Sequence, residues 1–241
     1  MNFEGKNAVF ELLNSSKTIE KIMIEDKTND IKLREIFKQA KENGIKVEFV
    51  MKKALDKISE TGKHQGVIAI ATDFVYADLS EVLKNKKDKQ MLFVLLDGVL
   101  DPHNLGSVIR VAECVGATAV IIPKNRSVVV NETVIRVSAG ACAHIPVCKV
   151  GNLVNTINLL KKQNIWVYAC DMDGQNIYST NFDGNVALVI GGEGQGVSNL
   201  VRKECDQIIS LPLYGKVNSL NASVSAGIAM YEVIRQRNFK N

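Results

Sequence analysis

Residues 186–196 read Val-Ala-Leu-Val-Ile-Gly-Gly-Glu-Gly-Gln-Gly, so an apolar run passes directly into a segment with four glycines in six positions. The unbroken apolar run Val186–Ile190 predicts a strand of a parallel sheet that is buried on both faces. Glycines tolerate positive φ and let the backbone approach another group closely. We therefore predict a buried strand followed by a ligand-binding loop, the alternative being a tight connection without a ligand.

The sequence on both sides of this segment alternates apolar strands with helical patterns. The predicted strands are Met91–Leu96, Ala119–Ile122, Ile165–Cys170, Val186–Ile190 and Gln207–Ser210. The predicted helices are Leu105–Val115, Asn131–Ala139, Leu153–Lys162 and Ser223–Arg237. Such alternation is typical of an α/β fold with a parallel sheet covered on both faces, here over residues 91–241.

The first 75 residues form a smaller α/β domain in this interpretation. Its predicted helices are Lys6–Leu13 and Ile31–Glu42, and its predicted strands are Ile22–Ile24, Lys46–Val50 and Gly66–Ala71. Residues 76–90 are polar and charged and lack a sustained apolar face. We therefore expect a short helix and linker there, and a domain boundary.

Composition excludes several classes of protein. With 46% hydrophobic and 23% charged residues, the chain is neither disordered nor fibrous. No apolar run approaches the roughly 18 residues of a membrane helix, and residues 1–6 lack the apolar core of a secretory signal. Five dispersed cysteines and three lone histidines predict reduced thiols in a cytoplasmic protein without a bound metal. A net charge of +4 permits a nucleic-acid partner without arguing for one.

The segment 97–110, Asp-Gly-Val-Leu-Asp-Pro-His-Asn-Leu-Gly-Ser-Val-Ile-Arg, also follows a predicted strand. Asp101 and Asn104 are residue types that favour turns and helix caps, so a loop and a helix N-terminus explain most of this segment. Arg110 lies in an otherwise apolar stretch, where an unpaired charge is costly to bury. It therefore either extends to solvent or serves an anionic ligand.

The glycine segment does not fit a phosphate loop. The spacing Gly-x-Gly-x-x-Gly that starts at Gly192 requires a glycine where Val197 stands, and no Gly-x-x-x-x-Gly-Lys-Ser/Thr motif occurs. Glu193 would also repel a phosphate. A neutral or cationic ligand fits this loop better.

Residues 211–225 form a third irregular stretch, between a strand and the last helix. Ser219, Asn221 and Ser223 stand among apolar neighbours, and one helix cap needs only one such side chain. The surplus of polar side chains favours a binding loop.

Together the three segments resemble the motifs of the SpoU-type branch of the SPOUT RNA methyltransferases. The matches are Asn104-x-Gly106-x-x-x-Arg110, Gly191-x-Glu193-Gly194-x-Gly196 and Leu211-Pro212-x-x-Gly215-x-Val217-x-Ser219-Leu220-Asn221-x-Ser223. Ala222 stands where a larger aliphatic residue is usual. In residues 1–75, Gly5-Lys6-Asn7-Ala8-Val9-Phe10-Glu11 and His64-Gln65-Gly66-Val67 resemble an RNA-binding domain similar to ribosomal protein L30e. The group with the greatest similarity is that of the 23S rRNA guanosine-2′-O-methyltransferases.

The resemblance implies methyl transfer from S-adenosylmethionine to a ribose 2′-hydroxyl of 23S rRNA. It further implies a deep trefoil knot in residues 91–241 and a homodimer. The catalytic residues it implies are Arg110, Asn104, Glu193, Ser219 and Asn221. The cofactor-binding residues it implies are Gly191, Gly192, Gly196, Leu211, Leu220 and Asn221.

Arg110 is the key residue by this resemblance, and Asn104 and Glu193 are expected to orient it. Because a guanidinium stays protonated in proteins, we favour phosphate binding and stabilisation of the developing alkoxide over a general-base role, which stays open. Two alternatives also stay open: a tRNA ribose methyltransferase and an RNA-binding protein without activity. The missing phosphate-loop spacings argue against a third, a nucleotide-binding α/β enzyme. His64, His103 and the loop at Asn125–Ser127 are further candidates for RNA contacts, each with a structural role as the simpler explanation.

Overall fold

The computed structural model describes residues 1–15, 17–72, 74–85, 90–194 and 196–239. The chain divides into two compact units, Met1–Val75 and Tyr76–Asn241.

The first unit is a mixed four-stranded sheet with three helices. Its strands are β1 (Asn2–Glu4), β2 (Thr18–Glu25), β3 (Val47–Val50) and β4 (Val67–Thr72), and its helices are α1 (Lys6–Leu13), α2 (Ile31–Glu42) and α3 (Lys52–Ile58). The sheet order is β1-β4-β2-β3, with β2 and β3 parallel and the other pairs antiparallel. Both predicted helices are confirmed. The pattern missed β1 and α3, which are too short to show a period.

The second unit is built on a six-stranded sheet. Its strands are β5 (Leu92–Asp97), β6 (Ala119–Pro123), β7 (Val147–Val150), β8 (Ile165–Asn176), β9 (Asn185–Gly191) and β10 (Gln207–Ser210). Its helices are α4 (Leu79–Lys84), α5 (Pro102–Cys114), α6 (Glu132–Val137), α7 (Leu153–Lys161), α8 (Asn199–Glu204) and α9 (Ala222–Asn238). Short 3₁₀ turns occur at Ala141–Ala143 and Ile177–Ser179.

Every neighbouring pair in the six-stranded sheet is parallel, in the order β10-β8-β9-β5-β6-β7. Residues 186–189 of the central strand β9 are fully buried, which is what an apolar strand in the middle of a parallel sheet requires. The predicted α/β fold with a parallel sheet is confirmed. Both β7 and α8 were missed because each is only four to six residues long.

Residues 76–90, where we expected a short helix and a linker, do contain the helix, α4, but it is packed into the second unit. The Ala77 amide donates to the Val147 carbonyl oxygen at 2.9 Å, and Leu83 of α4 packs into the core of the second unit. Residues 76–84 therefore belong to this unit, whereas residues 86–89 lie outside the described residues. Within the described chain, no helix combines the length and the apolar character that crossing a membrane requires.

Candidate functional site

The candidate site lies where β5 and β9 end. Asp97, the last residue of β5, is the register partner of Gly191, the last residue of β9. The loops after both strands therefore leave the sheet side by side. This carboxyl edge is where open α/β sheets bind ligands.

The start of α5 fixes the first loop. Asp101 caps the helix by accepting a hydrogen bond from the His103 amide at 2.9 Å, and Pro102 occupies the first turn, where its missing N–H costs nothing. Asn104 follows in the same turn and is only 5% exposed. Since Asp101 is the cap, the Asn104 side chain is free to reach other segments.

The glycine-rich loop is anchored to the end of β5. The Gly192 amide donates to the Asp97 carbonyl oxygen at 2.8 Å, and the Ser198 amide donates to Asp97 Oδ2 at 2.8 Å. A Cβ added to Gly191 would lie 2.1 Å from the Gly196 carbonyl carbon, and one added to Gly192 would lie 2.2 Å from the Gly98 carbonyl oxygen. Glycine is therefore required at both positions by close backbone approach.

Three side chains join the three motifs of the sequence. Asn104 Nδ2 and Asn221 Nδ2 both donate to Glu193 Oε1, each at 2.9 Å. Asn221 Nδ2 also donates to Asn104 Oδ1 at 2.9 Å. The three residues form a closed triangle, so segments separated by up to 117 residues meet at one point.

Asn221 also starts helix α9. Its Oδ1 accepts from the Ser223 amide at 2.9 Å, the Val224 amide at 3.3 Å and Ser223 Oγ at 2.6 Å. One side chain thus caps a 17-residue helix and ties it to the other two motifs. Both Nδ2 and Oδ1 of Asn221 therefore take part in hydrogen bonds.

Arg110 lies outside this triangle. Its side chain is exposed, and in the described part of the chain it has no hydrogen bond or ion pair with Asn104, Glu193 or any other residue. Six residues along a helix correspond to about 240° around its axis, so Arg110 and Asn104 leave α5 on different sides. In this structure Asn104 and Glu193 therefore do not contact Arg110, because both side chains bind Asn221 instead.

The segment between β10 and α9 is the least enclosed part of the site. Leu211 is half-buried, Ser219 is exposed, and Leu220 is 41% exposed. Tyr214 and Val217 in the same segment are also exposed. Ser219 is therefore near the triangle in sequence without joining it, and the apolar side chains offer open surface to a ligand.

Three charged residues of this edge, Asp171, Asp173 and Arg202, were not predicted from the sequence. Asp171 follows the part of β8 that pairs with β9, and a Cβ added to Gly196 would lie 3.4 Å from Asp171 Oδ1. Arg202 of α8 contacts Asp171 Oδ2 at 3.4 Å and Asp173 Oδ1 at 2.7 Å. Arg202 holds the pKa of the Asp173 carboxyl below its usual range. The available signal was the position of two acids directly after a predicted strand.

An apolar groove runs between α5 and α9, with a cavity volume of about 830 Å³. Its lining includes Val111 of α5 and Val224, Ile228 and Tyr231 of α9. Val224 and Tyr231 are exposed at 48% and 56%, which is unusual for apolar side chains on one continuous face. Arg110 does not line the groove itself, but it lies three residues after Ser107 and one before Val111 on α5, and both of these residues do, so it is adjacent to the groove.

The histidines are not part of this site's hydrogen-bond network. His64 is buried, its Nε2 bonds Asp56 Oδ1 at 2.9 Å, and its Nδ1 accepts from the Gly66 amide at 3.0 Å. Both ring nitrogens are used within the protein, so an RNA contact through the His64 side chain is not supported. His103 is exposed at the start of α5. Among the residues that the structure describes, no cluster of metal-ligating side chains occurs.

Comparison with protein-family models gives two matches that divide the chain between them. Residues 91–231 match the SpoU rRNA Methylase family, and residues 3–77 match the family described as RNA 2′-O ribose methyltransferase substrate binding. A Bacillus subtilis (strain 168) protein named "Putative TrmH family tRNA/rRNA methyltransferase YacO" is 44% identical over 238 residues, which cover 97% of this chain and 95% of that protein. A Staphylococcus saprophyticus relative of the same family is also 44% identical, over 98% of this chain and 95% of that protein.

Solved structures show the same fold. The SpoU methyltransferase AviRb from Streptomyces viridochromogenes, in complex with the cofactor AdoMet, aligns with a TM-score of 0.64 and 23% identity over 100% of this chain and 91% of that chain. The A. aeolicus TrmH/SpoU tRNA modifying enzyme aligns with a TM-score of 0.57 and 29% identity over 65% of this chain and 79% of that chain.

Proposed function

Because the chain belongs to the SpoU rRNA methylase family, and is therefore an S-adenosylmethionine-dependent RNA methyltransferase, we propose that it methylates the ribose 2′-hydroxyl of a guanosine in 23S rRNA. The observation that carries this proposal is the triangle of Asn104, Glu193 and Asn221, which joins all three motifs at one sheet edge. The match of residues 3–77 to a substrate-binding family of 2′-O ribose methyltransferases supports the ribose as acceptor.

The residues at this edge fit the cofactor. When bound, S-adenosylmethionine supplies a methyl group on a positively charged sulfonium. The loop offers acidic groups at Asp97 and Glu193, and a Cβ added to Gly194 would meet nothing within 4 Å. Such a site suits a cation without phosphates, as the loop sequence predicts. We assign cofactor contacts to the backbone of the glycine loop and to the segment after β10, through Gly191, Gly192, Gly196, Leu211, Leu220 and Asn221.

Arg110 acts on the RNA in this proposal. Its exposed guanidinium is available to bind the phosphate next to the target ribose. From there it stabilises the negative charge that develops on the 2′-oxygen as the methyl group arrives. A guanidinium that stays protonated does this without accepting a proton itself, so the hydroxyl proton passes to water as the new C–O bond forms and the C–S bond of the donor breaks. Strong desolvation of Arg110 would instead open a general-base role. Asn104, Glu193 and Ser219 shape the pocket around the reacting groups.

The groove between α5 and α9 supports a homodimer. Burying the exposed Val224 and Tyr231 side chains away from water would be favourable. In a twofold-symmetric dimer the same face of each copy packs against that of the other, so both copies would bury these side chains. Because Arg110 is adjacent to the groove, the dimer would place it next to the second copy. We also propose that residues 91–241 form a deep trefoil knot, that residues 1–75 are an L30e-like RNA-binding domain, and that the protein is cytoplasmic.

Methyl transfer to two RNA pools tests the proposed substrate. The purified protein is incubated with labelled S-adenosylmethionine and either unmodified 23S rRNA or total unmodified tRNA. We expect label at a single guanosine of the 23S rRNA and none in tRNA. Label in tRNA alone would keep the reaction, favour the tRNA alternative, and overturn our interpretation of residues 1–75.

A further inference from the structure

Strand β8 has an irregular stretch beside the glycine loop. The register with β10 jumps from Ala169 opposite Ile208 to Gln175 opposite Ile209, so the residues between bulge out of this pairing. On the other side, pairing with β9 ends at Cys170 and Ile190. Bulges of this kind redirect side chains next to functional sites. Asp171 and Asp173 both lie in the part of β8 that pairs with neither β9 nor β10.

Arg202 bridges this stretch to helix α8. It reaches Asp171 Oδ2 at 3.4 Å and Asp173 Oδ1 at 2.7 Å, and its side chain is 27% exposed. The Asp171 side chain is only 14% exposed. The carboxylates raise the pKa of Arg202, so the cation is stabilised by its position. A single guanidinium therefore compensates two acids of one strand.

Residues 171–173 of β8, which Arg202 bridges, lie against one side of the glycine loop and are called its β8 wall. Gly196 packs against the Asp171 carboxylate, since a Cβ added to Gly196 would lie 3.4 Å from Oδ1. The opposite wall is Asp97, which holds the Gly192 and Ser198 amides. The loop thus lies between two carboxylates, and Arg202 fixes one of them from the helix that directly follows the loop.

We infer that Arg202 is a positioning residue for the cofactor loop: by bridging Asp171 and Asp173 it holds the β8 wall against Gly196. The inference rests on the proposed binding of the cofactor at this loop. Without Arg202, the Asp171 and Asp173 carboxylates, which both contact this one guanidinium, would be left uncompensated and would repel each other. The wall would then move away from Gly196 and the loop would lose the shape that it has in this structure, which affects cofactor binding more than the methyl-transfer step.

Arg202→Met is the primary test, and Lys203→Met is its matched control, because Lys203 is an exposed basic residue of the same helix. Titration calorimetry gives the Kd for S-adenosylmethionine, and steady-state kinetics gives kcat at saturating cofactor. We expect R202M to raise the Kd about fivefold, the upper range for partly exposed ion pairs, with kcat within about twofold. K203M should match the wild type.

Removing the charge of Asp171 tests whether repulsion between the two carboxylates causes the loss of cofactor affinity in R202M. In Asp171→Asn/Arg202→Met the repulsion is gone, so we expect the Kd to return most of the way to the wild-type value, and Arg202→Lys should be intermediate. If R202M does not fold, Asp173→Asn replaces it, since the Asp173 side chain is 67% exposed and its loss breaks the 2.7 Å contact.

Unchanged cofactor Kd in R202M, or a lowered kcat with unchanged Kd, would overturn the inference. Absence of rescue in the double variant would also overturn it. A wild-type protein that binds no S-adenosylmethionine at this loop would instead overturn the placement of the cofactor, and the wild-type titration in the same series distinguishes the two failures.

Discussion

Replacing Asn221 tests the triangle that joins the three motifs. Asn221→Ala removes the cap of α9, which costs about 1 kcal/mol of unfolding free energy. It also leaves Asn104 Oδ1, in a residue only 5% exposed, without the donor that satisfies it. An unsatisfied buried acceptor costs about 1–3 kcal/mol. The lost bond to Glu193 adds little, because Glu193 is exposed.

The summed loss of about 2–4 kcal/mol should lower the Tm of the second unit by about 6–12 °C, given the usual response of a domain of 150–250 residues. Asn221→Ser is the matched variant, because serine caps a helix about as well as asparagine but cannot reach Asn104 and Glu193 with an amide. It should therefore lose less stability than Asn221→Ala.

Asn221→Ala and Asn221→Ser should differ in stability but lose a similar amount of activity. Both variants lose the amide that fixes Asn104 and Glu193, so methyl transfer should fall about a hundredfold in each, a typical effect of small misplacement in an active site. Thermal unfolding and methyl-transfer rates measured on the same preparations check this. An Asn221→Ser protein with wild-type activity would refute the argument that the triangle shapes the site.

Three further predictions address individual residues. Arg110→Ala should lower turnover about a hundredfold or more while the Kd for S-adenosylmethionine stays unchanged in calorimetry, as expected for a group that stabilises developing charge; turnover within a few-fold of wild type would contradict its role. Gly191→Ala forces a Cβ to within 2.1 Å of backbone and should destabilise the protein by about 1–3 kcal/mol or more in denaturant unfolding, whereas Gly151→Ala, with nothing within 4 Å, should be neutral. At pH 8 iodoacetamide should modify exposed Cys114 and spare Cys148, which is 1% exposed and whose pKa burial raises to about 11; mass spectrometry that shows rapid modification of Cys148 would contradict its burial.

The sheet and the convergence of the loops follow from local rules. An apolar run such as Val186–Ile190 has few alternatives to a central parallel strand, and the carboxyl ends of parallel strands meet at one edge. That reasoning brings the loops to one edge of the sheet, whereas the choice of Asn104, Glu193 and Asn221 within them came from the resemblance to the methyltransferase motifs.

The positions of Arg110 and Arg202 did not follow from the sequence. Whether Arg110 faces the triangle depends on where α5 begins, and the helix starts at Pro102, three residues earlier than the predicted Leu105. Arg202 lies on a six-residue helix, and its partners lie in a bulge that pairing rules do not anticipate. The short helix expected within residues 76–90 is confirmed by α4, but that its segment belongs to the second unit did not follow from the sequence, because Ala77 contacts the distant strand β7.

The most direct test of the central claim is the chemical identity of the methylated nucleoside. Labelled product from 23S rRNA is digested to nucleosides and separated by liquid chromatography with mass detection. We expect label in 2′-O-methylguanosine, recognised by a methylated ribose fragment, and in a parallel alkaline digest the phosphodiester on the 3′ side of that nucleotide should resist cleavage. Label on a base, with an unmodified ribose, would contradict it.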